Sequence, residues 1–325
     1  MRRSQPGRSR SASLLAGLFA LLAVSLGCAG PAAAAARLHP DAGGASASAA
    51  GAEAARVERY WTPARMRAAR PLELELNASG SGRIVPGAAE GNDASASFTR
   101  VGTPELAPYS VNGRVFIHQG KFDGFCSGTA INSPSRQLVL TAGHCVATGP
   151  EEGRASIWSS YLEFVPGYNG GVAPFGAFVA RRGKVFALPG WIKQGNPDFD
   201  MGAFLTHPNA EGVNVADAVG GGATIVTGLS RQQEFQTYGY PGETKQMQTC
   251  RSPYIGDDTL TYPFPGPPTQ TIRCQWAPGA SGGGWMIGEG TEIDGITTYL
   301  HLDNRTRTYG PYFSKETVGK LVKNL

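Results

Sequence analysis

The stretch "CSGTAINSPSRQLVLTAGHCV" occupies residues 126–146, and its reading decides how the rest of the chain is understood. At its centre lies an apolar β-type run, "QLVLTA", closed by a sharp Ala-Gly turn and followed by His144 beside Cys145. A second cysteine, Cys126, opens the stretch. One reading makes His144 an ordinary histidine satisfied at the end of a strand. The other makes it a general base, with its imidazole held at the tip of a rigid strand by an adjacent disulfide. A histidine met in isolation favours the first reading, so the decision rests on what the chain supplies elsewhere.

Working outward, the same short-strand texture continues on both sides. "RVFIH" (114–118), "FVARRGKVFAL" (178–188), "MGAFLT" (201–206), "EFQTYGY" (234–240) and "IDGITTYL" (293–300) are punctuated by Gly, Pro and Asn. Many short strands at frequent intervals predict an all-β sandwich or pair of barrels. Only the end reads as helical: Ser314 can cap a helix that places Val318, Leu321, Val322 and Leu325 on one face.

The histidine stretch, with its bracketing cysteines, resembles the corresponding region of chymotrypsin-like serine peptidases. That resemblance asks for an aspartate next and a serine last. "DFDMGAFLT" (198–206) offers Asp200 at the start of an apolar strand, and "GASGGGW" (279–285) offers Ser281, similar to the family's Gly-x-Ser-Gly-Gly. The three motifs fall in the required order, separated by 56 and 81 residues. Asp198, two residues earlier, is the reserve carboxylate. The resemblance covers about residues 105–325 and extends to a bacterial extracellular branch that includes glutamyl endopeptidases, through "YGYPGETKQMQTC" (238–250) and "TYGPYF" (308–313). It implies two six-stranded antiparallel β-barrels with a C-terminal helix, over residues 101–325.

The residue types suit the chemistry. A serine hydroxyl is a weak nucleophile and needs a base within hydrogen-bond reach. Histidine is the side chain that takes and returns a proton near neutral pH. Asp200 would fix its tautomer and stabilise the imidazolium, while backbone N–H groups of Gly279 and Ser281 would meet the developing oxyanion. Thr298, Tyr299 and Leu300 are expected to form the edge along which a polypeptide substrate lies as an added strand, with Thr298 also placed to reach Asp200.

Compartment is read from the first residues and the cysteines. Residues 1–36 carry four arginines, no acidic group, an apolar run over 14–26 and then small residues, the layout of a secretory signal rather than a spanning helix. Cys28 follows "SLG", a loose likeness to a lipoprotein signal, but Ser25 stands where that pattern prefers leucine; a secreted protein without stable membrane association is expected. From Val101 onward the chain has 17 basic and 18 acidic residues, so the formal +4 gives no support for a nucleic-acid partner. Four cysteines remain after the signal, Cys126, Cys145, Cys250 and Cys274, with three possible pairings. No pair has Cys-x-x-Cys spacing, which disfavours a metal. The family resemblance implies Cys126–Cys145 and Cys250–Cys274. No cofactor and a monomer are expected. Residues 37–100, with "DAGGASASAAG" (41–51) and "GAAEGNDASAS" (87–97), are expected to be a largely disordered pro-segment or spacer.

Several positions depart from the family pattern. Ala280 stands where digestive enzymes carry the aspartate that pairs with a newly cut N-terminus, so "RIVPG" (83–87) is not expected to work as that kind of activation site. Gln275, Thr297 and His301 support neither a cationic nor an acidic side-chain preference. The leading expectation is a secreted serine endopeptidase acting through an acyl-enzyme. A catalytically inactive binding module on the same fold is the alternative. An α/β-hydrolase esterase is disfavoured, since that fold places its histidine last.

Overall fold

In "RPLELEL" the leucines alternate with glutamates, and a strand sends alternate side chains to opposite faces. Both faces are covered here. Strand β1 (Arg70–Leu76) has Leu72, Leu74 and Leu76 fully buried, and Glu73 and Glu75 buried opposite them. The structure, a computed structural model, describes residues 45–86, 98–150, 154–242, 244, 246–258, 266–323 and 325. The expected signal segment, Cys28 and the stretch 87–97 lie outside the described residues.

Two helices precede β1. In α1 (Ala45–Tyr60) and α2 (Pro63–Ala68) the second helix begins with proline at its first turn, and the Thr62 hydroxyl accepts the Arg65 N–H at 3.2 Å. Val57 and Trp61 enter the main hydrophobic core. Strand β2 (Gly82–Pro86) then returns antiparallel to β1, with Leu74 opposite Ile84. A largely disordered pro-segment or spacer is the expectation for residues 37–100; within it, residues 45–86 form two helices and two strands. Low average hydrophobicity is outweighed by a few large side chains, each covered by a distant part of the chain.

After β3 (Phe98–Arg100) the first lobe is built from β4 (Asn112–Gln119), β5 (Phe122–Ile131), β6 (Leu138–Thr141), the one-turn helix α3 (Gly143–Val146), β7 (Ser160–Pro166), β8 (Phe178–Ala187), α4 (Pro189–Gln194) and β9 (Gly202–Thr206). Antiparallel pairings run β4–β5, β5–β6, β6–β9, β9–β8, β8–β7 and β7–β4, which closes a six-stranded barrel. Closure gives every strand two neighbours, while the start of β5 lies beyond the β5–β6 register. Val115, Phe116, Val139, Phe164, Phe178 and Phe204 fill it.

The second lobe follows α5 (Val215–Ala218). It comprises β10 (Thr224–Ile225), β11 (Glu234–Gly239), β12 (Gln248–Pro253), β13 (Gly256–Asp257), β14 (Gln270–Ile272), β15 (Gly284–Ile287), β16 (Glu292–Ile296), β17 (Tyr299–His301) and β18 (Asn304–Gly310). One ladder runs β10-β16-β15-β11-β12-β3, and the other β13-β14-β18-β17. Trp285, Phe235 and Trp276 pack between them. Strand β1 sits between β17 and β5, so the second ladder continues through it into the first lobe. Disulfides join Cys126 to Cys145 and Cys250 to Cys274, the pairing that the resemblance implied. Each closes a loop of a size that contributes roughly 3 kcal/mol by the chain-entropy account. At the end, α6 (Val318–Val322) buries Val318 and Leu321, preceded by a turn in which the Ser314 N–H donates to Thr317 Oγ1 at 2.8 Å.

Candidate active site

His144 stands on α3, directly after β6, and the Cys126–Cys145 disulfide ties that single turn to β5. Asp200 follows a 3-10 turn over Pro197–Phe199 and precedes β9. Since β6 and β9 are neighbours in the barrel, with Thr141 opposite Gly202, the two residues emerge side by side. Asp200 Oδ1 accepts the His144 backbone N–H at 2.7 Å, and Oδ2 lies 2.8 Å from Nδ1. Both side chains are fully buried. A carboxylate facing Nδ1 selects the tautomer that protonates that nitrogen and leaves Nε2 as acceptor. The Trp191 ring covers the imidazole edge-on, with centroids 6.3 Å apart, and is itself fixed by donating to the Ala147 carbonyl at 2.8 Å.

Asp198, the reserve carboxylate, turns elsewhere: its Oδ2 accepts the Gly266 N–H at 3.2 Å. Burial pushes its carboxyl up to about 6, against the opposing hydrogen bonds from Gly266 and Thr269. The grouping of Cys126, His144 and Cys145 is not a metal-binding set, because both sulfurs are consumed in the disulfide.

The loop from Cys274 to Gly284 is held on every side. Ser127 of β5 donates its N–H to the Ser281 carbonyl at 2.8 Å and its hydroxyl to the Gly279 carbonyl at 2.9 Å. The same hydroxyl oxygen accepts the Tyr240 N–H at 2.9 Å. From the other lobe, the Thr297 carbonyl accepts the Gly282 N–H at 2.7 Å, and the Thr297 N–H donates to Gly283 at 2.9 Å. Gly279 takes φ of +94°, and a Cβ on Gly283 would collide with the Tyr238 carbonyl. The glycines therefore serve close approach and left-handed backbone. With its carbonyl held by Ser127, Gly279 aims its N–H into the cleft. Ala280 is fully buried in the second core cluster.

Nε2 of His144 is buried and makes no hydrogen bond, so the Ser281–His144 leg is not a formed hydrogen bond in this state. Catalytic hydrogen bonds are often loose before substrate binds. Thr298 does not turn to Asp200: its hydroxyl and its N–H both donate to the Tyr309 carbonyl, at 3.1 and 3.0 Å. Thr298, Tyr299 and Leu300 line a pocket next to Ser281, with Trp276, Thr297 and Thr308. His301 lies away from it, 3.1 Å from Asp258 Oδ2, which also accepts the Tyr299 hydroxyl.

Two features of this site were not expected from the sequence. One is Ser127. The other is β1, whose Leu72 carbonyl accepts the Gly279 N–H at 2.8 Å and whose Glu73 lines the pocket. Burial pushes the Glu73 carboxyl up to about 8; Glu75 adds to the rise and Arg305 opposes it.

Comparison with solved structures aligns most of the chain. The protease Anisep from Arthrobacter nicotinovorans matches at 24% identity and TM-score 0.59, over 69% of this chain and 96% of that one. A thermostable serine protease, AL20, from an extremophilic microorganism matches at 25% identity and TM-score 0.57, over 64% and 93%. A Glu endopeptidase solved with MPD matches at 20% identity and TM-score 0.55, over 71% and 96%. No family model and no curated protein matches the sequence. The two-lobed architecture is the chymotrypsin-like fold.

Proposed function

We propose that the chain is a serine endopeptidase, with Ser281 as nucleophile, His144 as general base and acid, and Asp200 as the carboxylate that orients it. The observation that carries this reading is the buried pair in which Asp200 binds both the backbone N–H and Nδ1 of His144. Burial at both ends keeps that orientation from being exchanged for water.

The chemistry follows from this geometry. Ser281 Oγ attacks a substrate carbonyl carbon as its proton passes to Nε2, and the negative charge forms on the carbonyl oxygen. The N–H groups of Gly279 and Ser281 meet that charge, each such donor being worth about 10²–10³ in turnover. Collapse breaks the peptide C–N bond, and the imidazolium protonates the departing amine. Water then hydrolyses the acyl-enzyme with His144 again as base. Export fits the two disulfides, which persist in oxidising surroundings. No helix among the described residues is long and apolar enough to cross a membrane.

The test is covalent labelling with a fluorophosphonate, and casein hydrolysis, by the full-length chain before and after limited proteolysis. Labelling is expected for the native protein and absent from Ser281→Ala and His144→Ala. A folded protein that labels in none of its forms would return the reading to an inactive binding module.

A further inference from the structure

Strand β1 runs through the cleft between the lobes. Its first residues pair with the first lobe, Arg70 with Gly124 and Pro71 with Phe125. Its last residues pair with the second, Leu74 with Tyr299, Glu75 with Leu300 and Leu76 with His301, and both ladders are parallel. The Leu302 N–H donates to the Leu76 carbonyl at 2.9 Å. Midway, Leu72 receives the Gly279 N–H, and the buried Glu73 lines the pocket beside Ser281, whose free volume is ≈ 10 Å³.

In a productive complex a single residue does two things: its side chain fills the pocket, and its own carbonyl meets the oxyanion donors. Here the two tasks are split. Glu73 is the residue of β1 at the pocket, but the carbonyl at Gly279 belongs to the residue before it. A chain lying in the opposite direction produces this split. It also misplaces the leaving group. Attack on the Leu72 carbonyl carbon would break the Leu72–Glu73 bond, so the nitrogen to be protonated would be that of Glu73. From there the chain runs on to β17 in the second lobe, whereas His144 stands in the first.

We propose that Arg70–Leu76 is an intramolecular inhibitor, bound across the substrate cleft in the reverse direction and resistant to cleavage for that reason. The proposal rests on the peptidase reading above. The helices before the strand anchor it to the first lobe. Tyr60 stacks on Tyr161 with centroids 4.0 Å apart and donates to Asp123 Oδ1 at 2.6 Å, and Arg65 Nε donates to Oδ2 at 2.8 Å. Trp61 is buried against Phe116, 5.4 Å between centroids. Tethering of this kind gives an effective concentration in the millimolar range, so the strand need not bind tightly on its own.

The experiment compares fluorophosphonate labelling rates of the intact full-length chain, wild type against Leu74→Asp/Leu76→Asp, with Leu76→Ser as a milder variant and thermal melts to establish folding. Amide hydrogen exchange over residues 72–76 reports whether the strand is docked. Slow labelling and strong protection in the wild type are expected, with labelling at least tenfold faster in whichever variant remains folded. A wild-type chain that is protected over 72–76 yet labels as fast as the variants overturns the inhibitor and leaves the peptidase reading standing. Absence of labelling from every folded form, including the chain after limited proteolysis, removes the peptidase reading and the inhibitor with it.

Discussion

Glu73 makes the docking of β1 a function of pH. Free of the cleft, its carboxyl has the ordinary glutamate value of 4.5; in the pocket, burial raises it to about 8. The docked state therefore holds the proton more tightly. Below about pH 4.5 both states are protonated and docking is strongest. As pH rises from about 4.5 to about 8, docking must pay for a proton taken up, at about 1.4 kcal/mol per pH unit and about 5 kcal/mol over the whole window. Above about 8 both states are ionised and the penalty no longer grows. The charged groups that act on Glu73 are Arg305 of β18, which lowers its value, and Glu75 of β1, which raises it. Burial exceeds the Arg305 contribution, since that guanidinium is half exposed and already donates to Glu75 at 2.7 Å.

The assay is the labelling rate of the intact wild-type chain, divided at each pH by that of the undocked Leu74→Asp/Leu76→Asp chain. The division removes the intrinsic pH dependence of the nucleophile. Between pH 5.5 and 7.5 the ratio should rise by roughly 100-fold, then level off above about 8. Glu73→Gln, which cannot ionise, should give a flat ratio over the same range. Asp123 does not interfere: hydrogen bonds from Tyr60, His118 and Arg65 overcome its burial and hold it below the ordinary range, so it weakens anchoring only in strong acid. A Glu73→Gln chain with the wild-type slope would refute this account, as would a ratio that falls as pH rises.

Three further outcomes follow from the same contacts. Asp200→Asn should lower kcat of the proteolysed enzyme by about 10³–10⁴ with little change in KM, because it selects the wrong tautomer without emptying the site; steady-state kinetics on a peptide substrate decides. Ser127→Ala frees the Gly279 carbonyl and should lower kcat up to about 10²-fold, less than outright loss of an oxyanion donor. A shift in KM alone would show that Ser127 supports binding rather than the transition state. Trp61→Ala removes a buried ring from the bend between the two helices that anchor β1, at a cost of about 3–5 kcal/mol. Hydrogen exchange over residues 72–76 should accelerate in that variant while the barrel strand β6 stays protected.

The sequence carried the parts whose meaning is local. A histidine next to a cysteine after an apolar strand, an aspartate opening an apolar strand, and a serine among glycines stand out as candidates because each motif is written in its immediate neighbours. The disulfide pairing came only with the family resemblance, since spacing left three choices open. What was not legible depends on distance. The Ser127 hydroxyl reaches a carbonyl 152 positions away, and nothing near residue 127 announces it. Thr298 was expected to reach Asp200, but an acceptor already stands in line on the neighbouring strand, at Tyr309.

Strand β1 is the most instructive case, because its pattern was visible and its consequence was not. The alternation in "LELEL" normally marks a strand with one wet face, and in a low-complexity segment rich in Ala, Gly and Ser it invites no partner. Averaging over residues 37–100 hides Val57, Trp61, Leu72, Leu74 and Leu76, and those five decide whether the segment orders. Their cover comes from both lobes: Gly124 of the first and Tyr299 of the second lie against opposite ends of one seven-residue strand. A segment that needs two lobes at once can dock only after both have folded and closed on each other. If β1 is the inhibitor proposed above, folding of the two lobes precedes latency, and refolding should show a transient in which Ser281 labels quickly before β1 docks. Labelling by fluorophosphonate pulses during refolding would detect that interval, and a chain that is latent from the first moment its barrels are protected would contradict the order.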